Sequence, residues 1–260
     1  MTSKGSTDIL HSVENGILKI VLNRPHKKNS INVSMYKTLS QLLHGSIQDN
    51  DIHTVVLTGS KNFFSSGNDF LSFIRDKEGN SMDMESALPI YKKYVEDLIT
   101  YPKLLIAIVN GPAIGIAVTT LPLFDMVYAS DKAYFYTPFT KLGIVAEGCS
   151  TYTFPKILKH SKAGDMLYLG YKMNAFEAKE YGLVSHVYKH EHLNDVWTYL
   201  KKISALSIES IFAIKRLVKK WDEKVLLEVH EEETNELIKR IQSPEFMQRL
   251  METMLHKSKI

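Results

Sequence analysis

Three short apolar runs constrain this chain more than any other feature. Thr54–Gly59 (TVVLTG) and Leu104–Val109 (LLIAIV) are almost unbroken, and Ile17–Leu22 (ILKIVL) carries a single lysine. Each has the length of a β-strand. A strand without a polar face suits a sheet covered on both sides. Leu104–Val109, the longest such run, is far short of the roughly 20 apolar residues that a membrane-spanning helix needs.

Helical patterns separate the strands. From about Val33, the residues Met35, Leu39, Leu42, Leu43 and Ile47 recur at helical spacing, with Asn32 as the expected cap. Asn23-Arg24-Pro25 ends the first strand. Residues 71–89 mix charge, Gly, Ser and Met and read as a loop or a loose helix. Tyr91–Tyr101 reads as a helix stopped by Pro102, and Phe124–Ala129 and Ala133–Tyr136 read as further strands. From His192 the character changes, with helical stretches expected at 192–206, 209–224, 225–241 and 244–257. Strand–helix units followed by helices predict an α/β protein with a helical extension. Residues 1–191 form the α/β core and 192–260 the helical region, within one domain, which a chain of 260 residues can supply with a large core.

Composition narrows the function little. A formal charge of +3 is too small to indicate a nucleic-acid partner. One cysteine, Cys149, cannot form an internal disulfide, which fits a reducing compartment. Asn32-Val33-Ser34 matches the glycosylation sequon, a short pattern that arises by chance. Met1–Ser6 lacks the apolar stretch of a secretory signal. The last residues, Ser258-Lys259-Ile260, differ by one from the Ser-Lys-Leu peroxisomal address; a frayed basic helix end reads the same way.

Three segments are candidates for chemistry. Phe63-Phe64-Ser65-Ser66-Gly67-Asn68-Asp69-Phe70 follows the second strand; small residues let a ligand approach the backbone, whose N–H groups can hold an oxyanion. An ordinary turn with a helix cap has the same letters. Asn110-Gly111-Pro112-Ala113-Ile114-Gly115-Ile116 runs from a strand into small residues, serving either N–H presentation or close strand–helix packing; its glycine spacing is not the dinucleotide fingerprint. In Leu142–Tyr152, Glu147 is the only charge between Lys141 and Lys156. A desolvated carboxylate there would rise toward neutral pKa and serve as a general base, while an exposed loop glutamate would not. His190-Glu191-His192 lacks a third metal ligand, so no metal is expected.

The order and spacing of these parts resemble the crotonase (enoyl-CoA hydratase/isomerase) superfamily along the whole chain. The matching parts are Leu22-Asn23-Arg24-Pro25 followed by Lys28-Asn29-Ser30, the Ser65–Asp69 loop, Asn110-Gly111-Pro112-Ala113, and Glu177-Ala178 with Gly182-Leu183-Val184. Glu147–Lys156 (EGCSTYTFPK) is similar to the signature of the peroxisomal delta-3,delta-2-enoyl-CoA isomerases, and the Ser-Lys-Ile end agrees.

The resemblance implies a spiral of repeated ββα units with a C-terminal helical trimerisation region. It implies an oxyanion hole made by the backbone N–H groups of Ser66 and Ile116. Losing one such donor costs about 3–4 kcal/mol in comparable enzymes. The two glutamates of the hydratases correspond to Thr119 and Phe139, neither of which is a carboxylate, whereas Glu147 corresponds to the single catalytic glutamate of the isomerases. The implied reaction converts 3-cis- or 3-trans-enoyl-CoA to 2-trans-enoyl-CoA in unsaturated fatty acid β-oxidation, without a metal or redox cofactor, coenzyme A being part of the substrate. Arg24, Lys28, Ser65, Gly67, Asn68, Asp69, Phe70 and Gly115 are expected around that substrate, with Asp69 fixing its loop. Lys27, Lys28 or a basic residue of the tail would face the phosphates, and Phe70, Phe73 and Phe139 the acyl chain. A homotrimer or dimer of trimers is implied, as is the peroxisome, with the import receptor as partner and the mitochondrion as alternative. Two other readings remain: a non-catalytic acyl-CoA-binding scaffold of the chromodomain Y type, and a thioester hydrolase built on Cys149 or Ser150 with His160 or His186.

Overall fold

The computed structural model describes residues 8–70, 72 and 84–257. β1 (Ile9–Glu14) and β2 (Ile17–Leu22) form a hairpin through Asn15-Gly16, both at positive φ, as a tight hairpin turn requires. β1 was not legible because it is an edge strand, exposed along most of its length. β3 (Thr54–Gly59), β4 (Leu104–Val109), β6 (Met126–Ser130) and β9 (His186–Tyr188) complete a six-stranded sheet in the order β1-β2-β3-β4-β6-β9, parallel beyond the hairpin. A smaller sheet joins β5 (Ala113–Ile114), β7 (Tyr134–Tyr136) and β8 (Met173–Asn174).

The apolar runs are explained by burial on both faces. Leu18, Ile20, Leu22, Val55, Leu57, Leu105, Ala107 and Val109 enter one core. Their neighbours Ile17, Val56, Leu104, Ile106 and Ile108 enter a second, with Val196, Leu200 and Ile203. Alternation sends successive side chains to opposite faces, and each face has a cover. Lys19, the one charge in β2, lies over the Trp197 ring at 4.7 Å.

Each parallel strand is followed by an excursion to the second layer and then a helix. After β2, Ile31 bridges to Asn68 and α1 (Val33–Gln48) follows. The Asn32 side chain caps α1, accepting the Met35 N–H at 2.8 Å, and is buried there, so the sequon is not an accessible acceptor. After β3, Ser65 bridges to Ala113, and the chain continues to α2 (Met84–Thr100). After β4, β5 leads into α3 (Ile116–Thr119). After β6, β7 leads into α4 (Phe139–Leu142) and α5 (Ser150–Leu167). This repetition is the ββα spiral.

α2 begins before the expected helix at 91 and takes in Met84–Pro89; the rest of the expected loop, residues 71 and 73–83, lies outside the described residues. α6 (Ala175–Glu180) precedes β9. Of the tail helices, the first is shorter than expected: α7 (Leu193–Leu200) is flanked by tight 3-10 turns at 190–192 and 201–205. α8 (Ile208–Lys219), α9 (Glu223–Ile241) and α10 (Pro244–Lys257) follow. α9 packs on α2 and α5, and α10 on α4, so the tail builds on the preceding core.

Candidate active site

A cavity of about 620 Å³ opens where the turns after β3 and β5 meet. The main-chain bonds bring them together: the Ile114 N–H donates to Ser65 O at 3.0 Å, and the Phe64 and Ser65 N–H groups both donate to Pro112 O. Gly67 is required at the junction. It has φ 83°, and a Cβ there would stand 2.5 Å from Ile114 O. Gly115, at φ 59° and ψ −126°, turns the chain into α3 and faces the cavity.

Two N–H groups at this junction that have no partner among the described residues are those of Asn68 and Ile116. In the parallel bridge, Ile31 donates to Gly67 O at 2.8 Å and accepts from the Asp69 N–H at 2.9 Å. Asn68 lies between these two bonds, so its own N–H points away from Ile31, and it has no partner among the described residues. Ile116 starts α3, where N–H groups lack helical acceptors; its N–H is likewise unpaired among the described residues. Ser66, expected as a donor, does not fill that role. Its N–H donates to Lys28 O at 2.9 Å and its hydroxyl to Lys27 O at 3.2 Å, which ties the loop to the turn at 25–28. The letters Ser65-Ser66-Gly67-Asn68 cannot reveal which N–H the bridge consumes.

Glu147 lies at the inner wall and is 3% exposed. The Asn68 Nδ2 donates to both its oxygens, at 3.2 and 3.3 Å. The Tyr36 hydroxyl donates to Asn68 Oδ1 at 2.5 Å, which orients the amide. Tyr91 adds a hydrogen bond to Glu147. Burial pushes the Glu147 carboxyl up to about 8, with the Glu233 charge adding to the rise, while the bonds from Tyr91 and Asn68 oppose it. Gly148 and Cys149, which follow, are both left-handed, at φ 68° and 66°. A Cβ on Gly148 would stand 2.7 Å from Thr119 Oγ1. Thr119 therefore packs beside the Glu147–Cys149 segment, and Phe139 lines the cavity. These are the positions at which the hydratase pattern has carboxylates.

Other expected residues divide. Lys28, Gly67, Asn68, Asp69, Phe70 and Gly115 line the cavity. Arg24 and Ser65 do not. Arg24 is spent on structure: it donates to Asp69 at 2.9 Å and to Ser30 O at 2.8 Å, and approaches Asp8 at 3.7 Å. Asp69 thereby fixes its loop, as expected, and is the other carboxylate of the lining. Ser65 is buried, bonding Asn29 O at 2.8 Å. His26, Lys27, Lys28 and Lys141 form a basic rim. Phe73 lies outside the described residues. The sequence reading missed Lys141, Tyr36, Tyr91 and Glu233. The tyrosines sit within apolar helical stretches and read as core; Glu233 lies in an acidic run, Glu231-Glu232-Glu233, with nothing to single it out.

Among the described residues neither hydrolase candidate has a histidine partner. Cys149 Sγ contacts Leu226 O at 3.4 Å, and burial pushes its thiol up, away from thiolate. The Ser150 hydroxyl donates to Glu147 O at 2.8 Å. His190 Nδ1 pairs with the Ser130 hydroxyl at 3.1 Å. Among the described residues no cluster of three His, Cys, Asp or Glu is arranged to hold a metal.

The sequence matches the enoyl-CoA hydratase/isomerase family profile over residues 12–258. It is 41% identical over 258 residues to enoyl-CoA delta isomerase 3, peroxisomal, of Mus musculus, a match spanning 99% of this chain and 81% of that protein. It is also 41% identical over 260 residues to enoyl-CoA delta isomerase 2 of Homo sapiens, spanning 99% of this chain and 66% of that longer protein. A crystal structure of an enoyl-CoA hydratase/isomerase from Pseudoalteromonas atlantica superposes with a TM-score of 0.87 at 28% identity, covering 96% of this chain and 97% of that one.

Proposed function

Because this chain belongs to the enoyl-CoA hydratase/isomerase family, we propose that it is an isomerase moving the double bond of 3-cis- or 3-trans-enoyl-CoA to 2-trans-enoyl-CoA, with Glu147 as its one acid/base group. The observation that carries this reading is that, among the described residues, Glu147 is the one carboxylate lining the cavity without a cationic partner, since Asp69 is held by Arg24.

The chemistry follows from that asymmetry. Glu147 takes a proton from C2, and the electron pair moves into the thioester as an enolate. The Asn68 and Ile116 N–H groups stabilise the negative oxygen. The protonated Glu147 then returns the proton to C4, and the double bond settles at C2–C3. The proton balance closes within one residue, so the reaction calls for no metal or redox cofactor. Hydration would need groups to orient and deprotonate a water, and Thr119 and Phe139 supply none. The basic rim of His26, Lys27, Lys28 and Lys141 suits the phosphates of CoA, and Phe70 and Phe139 suit the acyl chain. The test is a panel of 3-enoyl-CoAs of several lengths beside a 2-trans-enoyl-CoA hydration control. Turnover of the panel without hydration is expected. Tight binding of acyl-CoA without any turnover would instead favour the scaffold reading.

We place this activity in fatty acid β-oxidation in the peroxisome, with the mitochondrion as the alternative. Support comes from the Ser258-Lys259-Ile260 end, which lies outside the described residues, and from the peroxisomal name of the mouse relative. Loss of these three residues should leave an N-terminally tagged protein in the cytosol by fluorescence microscopy. Trimeric assembly is supported by exposed Leu217, Val218 and Trp221 on and just after α8. A light-scattering mass of three or six chains is expected.

A further inference from the structure

Glu233 is a buried acid from α9, 6% exposed, that faces the segment immediately after Glu147. Its Oε2 accepts the Cys149 N–H at 2.7 Å. Its Oε1 accepts the Thr151 N–H at 2.8 Å and the Thr151 hydroxyl at 2.7 Å. These backbone donors belong to the start of α5, where N–H groups have no helical acceptor. Cys149 occupies the cap position but makes no side-chain cap. It is also left-handed, a conformation that side-chain-bearing residues adopt only when their surroundings impose it. The cap and the restraint both come from Glu233.

We propose that Glu233 is a positioning residue for isomerisation: its carboxylate clamps the left-handed turn at 148–149 from a distant helix and so fixes where Glu147 points. The inference rests on Glu147 being the base. A second contact from the same helix supports it. His230, one turn earlier and fully buried, bonds Lys92 O through Nε2 at 3.2 Å and packs its ring on Tyr91 at 5.9 Å. Tyr91 in turn bonds Glu147. α9 therefore reaches the base along two routes, one through the turn behind it and one through the tyrosine beside it.

Among the described residues, the titratable groups that interact with Glu147 are Tyr36 from α1, Tyr91 from α2 and Glu233 from α9. The Glu233 charge raises the Glu147 carboxyl. Removing that charge should therefore lower the pH at which Glu147 ionises, a readout separate from the fall in kcat that the loosened clamp gives.

The test uses Glu233→Gln and Thr151→Val, each in the full chain. Gln keeps the shape but places an amide donor against the Cys149 or Thr151 N–H. A misplaced base of this kind costs about 10- to 100-fold in kcat, with KM changed less than kcat. The pH–rate midpoint should move to lower pH. The infrared band of the protonated Glu147 carboxyl, identified by its loss in Glu147→Gln, should titrate at lower pH as well. Thr151→Val removes one bond and no charge, so kcat should fall about two- to ten-fold with the midpoint unmoved. The proposal is overturned if folded Glu233→Gln keeps the parent's kcat and midpoint. If Glu233→Gln does not fold, Thr151→Val decides, and an unchanged kcat overturns the proposal. Failure of the functional reading looks different: the parent itself would not turn over 3-enoyl-CoA, while the infrared titration would still report on the clamp.

Discussion

Glu147→Gln should lower kcat on a 3-enoyl-CoA by about 10²- to 10⁴-fold, the range that a positioned acid/base group supplies, and the upper part of it is expected because no other carboxylate among the described residues of the lining is without a cationic partner. Asp69 is tied to Arg24, and Thr119 and Phe139 carry no acid. KM should change far less, because the basic rim and the apolar lining remain. The parent's pH profile belongs to the same argument. The base works as the anion, and its carboxyl lies at about 8 in the folded protein, so kcat/KM should climb with pH and level off above about 8. The same shift dictates stability. Relative to an ordinary glutamate near 4.5, a raised carboxyl contributes stability that is complete below that value and lost as the pH climbs to about 8. Gln carries no charge to bury, so at pH 8 the variant should melt no lower than the parent. Near-normal turnover by a folded Glu147→Gln enzyme would remove the base from the mechanism.

Gly67→Ala should lower stability by about 2–4 kcal/mol, from a strained φ plus a hard contact. The new methyl would meet a carbonyl oxygen, Ile114 O at 2.5 Å, and not a side chain that can swing away. Relief requires separating the two turns, which carries off the Asn68 N–H, so kcat should fall along with the melting temperature. Gly45→Ala is the internal comparison. It lies in α1 with nothing within 4 Å of its Cβ position, and there alanine should raise stability by up to about 1 kcal/mol. Denaturant melts of the two variants beside the parent, with kcat for each, check both signs. A Gly67→Ala enzyme as stable as the parent would mean that the turns are not as close as their bonds imply.

The sheet was legible because both of its faces are buried: a strand with two covered sides has no polar residues to disguise it. β1 escaped notice for the opposite reason, being an exposed edge held by its turn and its ladder. At the site, Glu147 could be found from its isolation among small and apolar residues. The donors of the oxyanion hole could not be assigned with the same ease. The Ser66 N–H is taken up by Lys28 O and the Asp69 N–H by Ile31 O, which leaves the Asn68 N–H between them without a partner among the described residues. Arg24 is expected from sequence beside the CoA moiety, but its guanidinium is held by Asp69, 45 residues away. Glu233 is harder still, since its role depends on a helix returning 82 and 84 residues later to cap another.

That return has a consequence for the life of the molecule on the ribosome. By the time Glu147 and its turn have been synthesised, the strands that surround them are already available to fold. The acid that grips the turn, and the Leu250 that closes the cavity, come in the last tenth or so of the chain. A nascent or prematurely ended polypeptide thus carries a reactive carboxylate in an unfinished socket. An activity that depends on this carboxylate would await the docking of α9 and α10.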